Sequence, residues 1–142
     1  MSYALFSMAR FGQQNRNLQR RETRAQTIVS KSLFVKPESD CVEARQVVEL
    51  EDPDFLLSQR LVTHNEKLVE YALVLSRLQG GEWVEVYSID TQHGTLHEHI
   101  SGHKRKNDRR DIRPLYTQVD VQESIDEPAM QLVFEKYRKM RG

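Results

Sequence analysis

Two glycine turns constrain this chain more than any other feature. Between Leu68 and Ser101 they separate three segments in which side chains alternate with period two. Such alternation sends successive side chains to opposite faces of a strand. In Leu68–Leu78, Tyr71, Leu73 and Leu75 alternate with Ala72, Val74 and Ser76. Gln79-Gly80-Gly81 reads as a tight turn, because glycine enters positive φ without a Cβ clash. Trp83–Asp90 then returns with Val84 and Val86 on one face and Trp83, Glu85, Tyr87 and Ile89 on the other. Thr91-Gln92-His93-Gly94 turns again into Thr95–Ser101. Three alternating segments and two short turns predict an antiparallel meander.

The flanks extend it. Leu33–Val35 reads as a short strand closed by Pro37, and Val42–Leu50 as a longer one. Asp52 followed by Pro53 suggests an N-cap with proline at the first helical position, predicting a short helix through Phe55–Leu61. Leu115–Val121 is expected to be the fourth strand of the meander. Ser124, with Glu127 three residues on and Pro128 in the first turn, predicts a terminal helix. Met130, Val133, Phe134 and Tyr137 form its apolar stripe, and Lys136, Arg138, Lys139 and Arg141 suit the dipole at its end. The expected fold class is α+β: an antiparallel meander of about four strands packed against a C-terminal helix, with a basic N-terminal arm.

Charge divides the chain although it sums to zero. Residues 1–36 hold seven Lys/Arg against one Glu, residues 37–103 four against thirteen acids, and residues 104–142 ten against seven. The first block carries no clean apolar stripe, so residues 1–36 read as a flexible or partner-ordered arm and residues 37–142 as the compact domain. At 142 residues there is room for one core. No apolar run approaches the roughly 20 residues of a membrane span, and Met1–Phe11 lacks the layout of a secretory signal. A cytoplasmic chain without membrane contact is expected. A single cysteine, Cys41, forms neither an internal disulfide nor a thiolate metal site.

The functional signal is a histidine cluster. His93, His97, His99 and His103 follow the spacing H-x3-H-x-H-x3-H. His97 and His99, two apart on a strand, share a face. Glu98 falls between Leu96 and Ile100 on the other face, where it must sit at an edge, pair with a cation or act as a functional carboxylate. Just beyond lies a basic stretch containing Lys104, Arg105, Arg109, Arg110 and Arg113, suited to phosphate contacts. Imidazoles exchange protons near neutral pH. A His pair beside a basic loop therefore has the parts for metal-free RNA cleavage, with His97, His99 and Glu98 in the chemistry. His-x-His on a strand equally suits a first-row metal, with His93, His97 and His99 as ligands. A third reading is a solvent-facing or partner-contacting strand with no chemistry. Trp83 and Tyr87 offer base stacking or core packing. There is no Gly-rich phosphate loop, nucleophile elbow or H-E-x-x-H, and no cofactor is expected.

The run Glu82–His99, with Asp90, Gly94, His97 and His99 at its key positions, resembles small uncharacterised prokaryotic families over roughly residues 68–140, and the TumE-like toxins of toxin–antitoxin pairs are the named group it looks most like. Ile89 stands where that pattern has tyrosine, and the stretch Lys104–Arg113 is an insertion. The resemblance implies a compact α+β toxin with translation or RNA as its target and a neighbouring antitoxin that masks the basic surface; joined to the His pair and basic loop, it makes an RNA-targeting endoribonuclease the leading expectation. Homo-oligomers fit the charge segregation as well. Two alternatives stay open: a non-catalytic nucleic-acid- or protein-binding module, and a metal-binding domain built on the His-x-His strand.

Overall fold

The computed structural model describes residues 32–101 and 108–141. Six strands follow in chain order: β1 (Cys41–Glu49), β2 (Phe55–His64), β3 (Lys67–Gln79), β4 (Glu82–Asp90), β5 (Thr95–His99) and β6 (Arg109–Pro114). Each pairs antiparallel with the next, giving an open sheet of order β1-β2-β3-β4-β5-β6. Two helices follow, α1 (Gln118–Ser124) and α2 (Gln131–Arg141), joined by the kinked turn Ile125–Met130. The class is α+β as expected, with six strands in place of about four.

One face of the sheet is the core. Tyr71, Leu73 and Leu75 of β3 are fully buried, and Tyr87 and Ile89 of β4 lie beside them in register. The helices cover this face with Val121, Ala129, Val133 and Tyr137. Burying side chains of this size is worth about 1.5–3 kcal/mol each. Phe55 meets Tyr137 edge to face, with ring centres 5.2 Å apart. The Tyr71 hydroxyl lies 2.7 Å from Ser124 Oγ. Ser124 itself donates to the Val121 carbonyl, so Tyr71 is the donor to it.

Several local expectations are revised. The short helix after Asp52-Pro53 is instead β2. Asp52 Oδ1 accepts the Asp54 N–H at 3.0 Å, and the Asp52 carbonyl accepts the Phe55 N–H at 3.1 Å. That is a reverse turn with proline in its second position, and Phe55 and Leu57 then alternate into the core. The fourth strand expected at Leu115–Val121 is also displaced. Strand β6 comes earlier, inside the stretch read as a basic loop, and Thr117 opens α1. Thr117 and Asp120 form a reciprocal capping box, which overrides the strand composition of this segment. Ser124 is consequently a buried residue at the end of α1, not the cap of a terminal helix.

Trp83 and Tyr87 do not share a face. A register shift after Leu75 places Tyr87 opposite Leu75 and Glu85 opposite Ser76. Tyr87 is buried while Trp83 is 46 % exposed. The compact unit begins at Leu33 rather than Pro37. The Phe34 N–H donates to the Leu115 carbonyl at 2.8 Å, and Lys36 pairs with Glu70 at 3.5 Å. Residues 1–31 of the expected arm lie outside the described residues. Among the described residues, no helix is long and apolar enough to cross a membrane.

Candidate metal centre

The second face of the sheet is polar, and strand register arranges it in two rows. One row runs Val47, Ser58, Val74, Ser88, His99 and Arg109 from β1 to β6. The other runs Arg45, Arg60, Ala72, Asp90, His97 and Asp111. Residues directly opposite on antiparallel strands share a face, with Cβ atoms about 4.5–5.5 Å apart. The rows therefore bring Asp90, His97 and His99 together on β4 and β5.

The three side chains converge. His97 Nε2 lies 2.9 Å from Asp90 Oδ1, and His99 Nε2 lies 3.5 Å from Asp90 Oδ2. One ligand atom from each residue can be chosen so that all lie within 4.8 Å of one another. The imidazole rings meet edge to face, 5.1 Å between centres. Asp90 is 1 % exposed and His97 3 %. Two backbone contacts hold the group in place. The Gln92 N–H donates to Asp90 Oδ1 at 3.0 Å, and His97 Nδ1 donates to the Thr95 carbonyl at 2.9 Å.

The second of these contacts decides the chemistry of His97. A carbonyl only accepts, so Nδ1 carries hydrogen and Nε2 is left to face the carboxylate. Two lone pairs 2.9 Å apart repel unless a cation or a proton lies between them. Burial alone pulls the His97 pKa down, but the hydrogen bond and charge of Asp90, helped by the Thr95 carbonyl, outweigh it and raise the pKa above the ordinary histidine value. The electrostatics of the pocket thus favour a positive charge at this point. An Nδ1–H bound to a backbone carbonyl is also the usual orienting contact of a metal-ligating histidine.

The other residues singled out from the sequence are dispersed. Glu98 points to the core face, where Arg110 pairs with it at 2.8 Å and the Tyr87 hydroxyl donates to it at 2.6 Å. Burial first, then the neighbouring Glu98 carboxylate, keeps the Tyr87 phenol protonated. Arg113 reaches the Glu127 carbonyl at 3.4 Å. Arg109 alone of the described basic candidates shares the histidine face, and it pairs with Asp111 at 3.0 Å. Lys104 and Arg105 lie outside the described residues, as does His103. The metal set expected from His93, His97 and His99 is changed: Asp90 takes the place of His93. His93 is exposed in the turn before β5, at φ 63°. Gly80 and Gly81 make the β3–β4 turn as expected, and Gly94 (φ 76°) leads into β5.

Asp90 is a key position of the family pattern, but the sequence reading gives it no role as a ligand. Its signal was parity: with Tyr87 and Ile89 in the core, Ser88 and Asp90 must face the other way, toward any histidines on that side. Beside the cluster lies a concave groove of about 680 Å³, lined among others by Arg45, Ser58, Arg60, Ser76, Glu85 and Gln92. Its floor includes Ala72 and Val74, the register partners of Asp90 and Ser88. Arg60 is held in its wall by Glu43 and Glu70.

An open six-stranded meander, with helices on one face and a buried histidine–carboxylate cluster on the other, defines an α+β domain with a polar site. The chain belongs to the family described as Domain of unknown function (DUF7718), which matches residues 38–140. No match is found among curated proteins or solved structures.

Proposed function

We propose that the protein binds a first-row divalent metal ion through Asp90, His97 and His99. The observation that carries this reading is the convergence of two imidazole Nε2 atoms on one buried carboxylate, with His97 Nδ1 already committed to the Thr95 carbonyl. The spacing suits an ion. Two donors about 2.1 Å from a metal are about 3.0 Å apart at a right angle and about 3.4 Å apart at the tetrahedral angle. The observed separations of 2.9 and 3.5 Å bracket these values. A set of two imidazoles and one carboxylate suits Zn, Fe(II), Co or Ni, and with these three ligands from the described residues the centre has room for a further, outside ligand. Such an ion would supply Lewis acidity at those positions.

Metal-free RNA cleavage draws less support from the same geometry. Glu98 and Arg110 face the core side, and His97 directs both ring nitrogens inward. Of the basic residues singled out from the sequence, Arg109 is the described one that shares the face of the cluster, so a phosphate-bearing substrate such as RNA is retained as what the centre acts on, not as a separate mechanism.

The test is metal analysis of the full-length, untagged protein after dialysis against each ion. We expect one equivalent of metal per chain and a higher melting temperature, both lost in Asp90→Ala and in His99→Ala. Substoichiometric metal, with no thermal response to any of these ions, would overturn the reading.

A further inference from the structure

Asp90 and His97 are opposite one another in register, and so are Ser88 and His99. The four residues are therefore the corners of one block on β4 and β5, with about 6.7 Å between residues two apart on the same strand. Three corners converge on the proposed ion. The fourth, Ser88, is 0 % exposed, and its hydroxyl has no hydrogen-bond partner among the described residues. A buried hydroxyl left without a partner is destabilising, and native structures keep such groups chiefly where function needs them. The position is also distinctive. Across β4 from His99, Ser88 adjoins Val74, a floor residue of the polar groove. In the register of the sheet Ser88 therefore lies between His99 and the floor of the groove.

We infer that Ser88 is a positioning residue, whose hydroxyl hydrogen-bonds the small oxygen or nitrogen ligand held at the open position of the metal centre. The inference rests on the metal reading and adds the group that receives the exchangeable ligand. Serine is a poor direct ligand for a first-row divalent ion, whereas its hydroxyl both donates and accepts hydrogen bonds. It therefore serves a water or an anion equally well.

The test uses the full-length, untagged protein loaded with cobalt(II), followed by its visible absorption, with azide as the outside ligand. Ser88→Ala should bind cobalt within three-fold of the wild type but bind azide about ten-fold more weakly. Without metal its melting temperature should be unchanged or higher, since the substitution removes only an unsatisfied hydroxyl. Ser88→Cys, which keeps a weak donor on the same shape, should fall between the two. Azide affinity equal to wild type in Ser88→Ala would overturn the inference, as would cobalt and azide binding lost together. A wild type that binds cobalt without any azide response overturns the role of Ser88 alone. A wild type that binds no cobalt overturns the metal reading and the role of Ser88 with it.

Discussion

Replacing Glu98 separates a structural carboxylate from a catalytic one. Its side chain is only 7 % exposed, and it accepts one hydrogen bond from the buried Tyr87 hydroxyl and one from Arg110. The two partners are unequal. Arg110 is 66 % exposed, so water takes over its solvation when the pair is broken, and that half is worth about 0–1 kcal/mol. Tyr87 is 2 % exposed, and loss of its charged acceptor strands a buried hydroxyl at a cost of about 1.5–3 kcal/mol. Glu98→Ala should therefore lower stability by about 2–4 kcal/mol once the small cavity is included. Glu98→Gln keeps an acceptor for Tyr87 and should cost about 1 kcal/mol. Urea unfolding of the single and double variants measures these values. The cycle with Tyr87→Phe should give a larger coupling than the cycle with Arg110→Ala. Metal affinity should stay within two-fold, because Glu98 lies on the opposite face of β5 from His97 and His99. A stronger coupling to Arg110, or loss of metal binding in Glu98→Gln, would refute this reasoning.

Gly94→Ala should lower stability by about 2–4 kcal/mol in the same unfolding assay: its φ is 76°, and a Cβ there would lie 2.7 Å from Leu33 Cβ and 2.9 Å from the Phe34 carbonyl oxygen. The strain falls where Leu33–Lys36 docks, so proton exchange of the Phe34 amide should quicken more than that of β3 amides. Thr117→Ala removes one half of the capping box on α1 and should cost about 1 kcal/mol by urea denaturation, with Asp120→Ala giving a similar loss. Tyr71→Phe should cost about 1 kcal/mol, because Ser124 keeps its bond to the Val121 carbonyl when the phenol is removed.

How much of this was legible from residues alone depended on whether a local signal met competition. The central meander was readable because period-two alternation and the Gly80-Gly81 turn both point to the same structure. Phe55–Leu61 misled because Asp52-Pro53 opens a helix and a reverse turn with equal ease. What decided for the turn was pairing on both sides, with β1 and with β3, a tertiary fact absent from local spacing. At Leu115–Val121, strand propensity loses to the reciprocal cap of Thr117 and Asp120, a stronger signal than the cap candidate at Ser124. The site shows a subtler limit. The parity that pairs His97 with His99 was plain on one strand, but their shared partner is on another, and its register passes through an irregular turn. Asp90 is set opposite His97 only because Gln92–Gly94 coils into a short 3-10 turn with His93 and Gly94 at positive φ. Two residues, Thr95 and Leu96, consequently pass before pairing with β4 resumes at His97. A two-residue hairpin would have set different residues across from Asp90 and left the imidazoles without their carboxylate. The turn that carries His93 is thus what builds the site: His93 contributes backbone shape rather than a ligand, and Asp90 takes the ligand position expected of it.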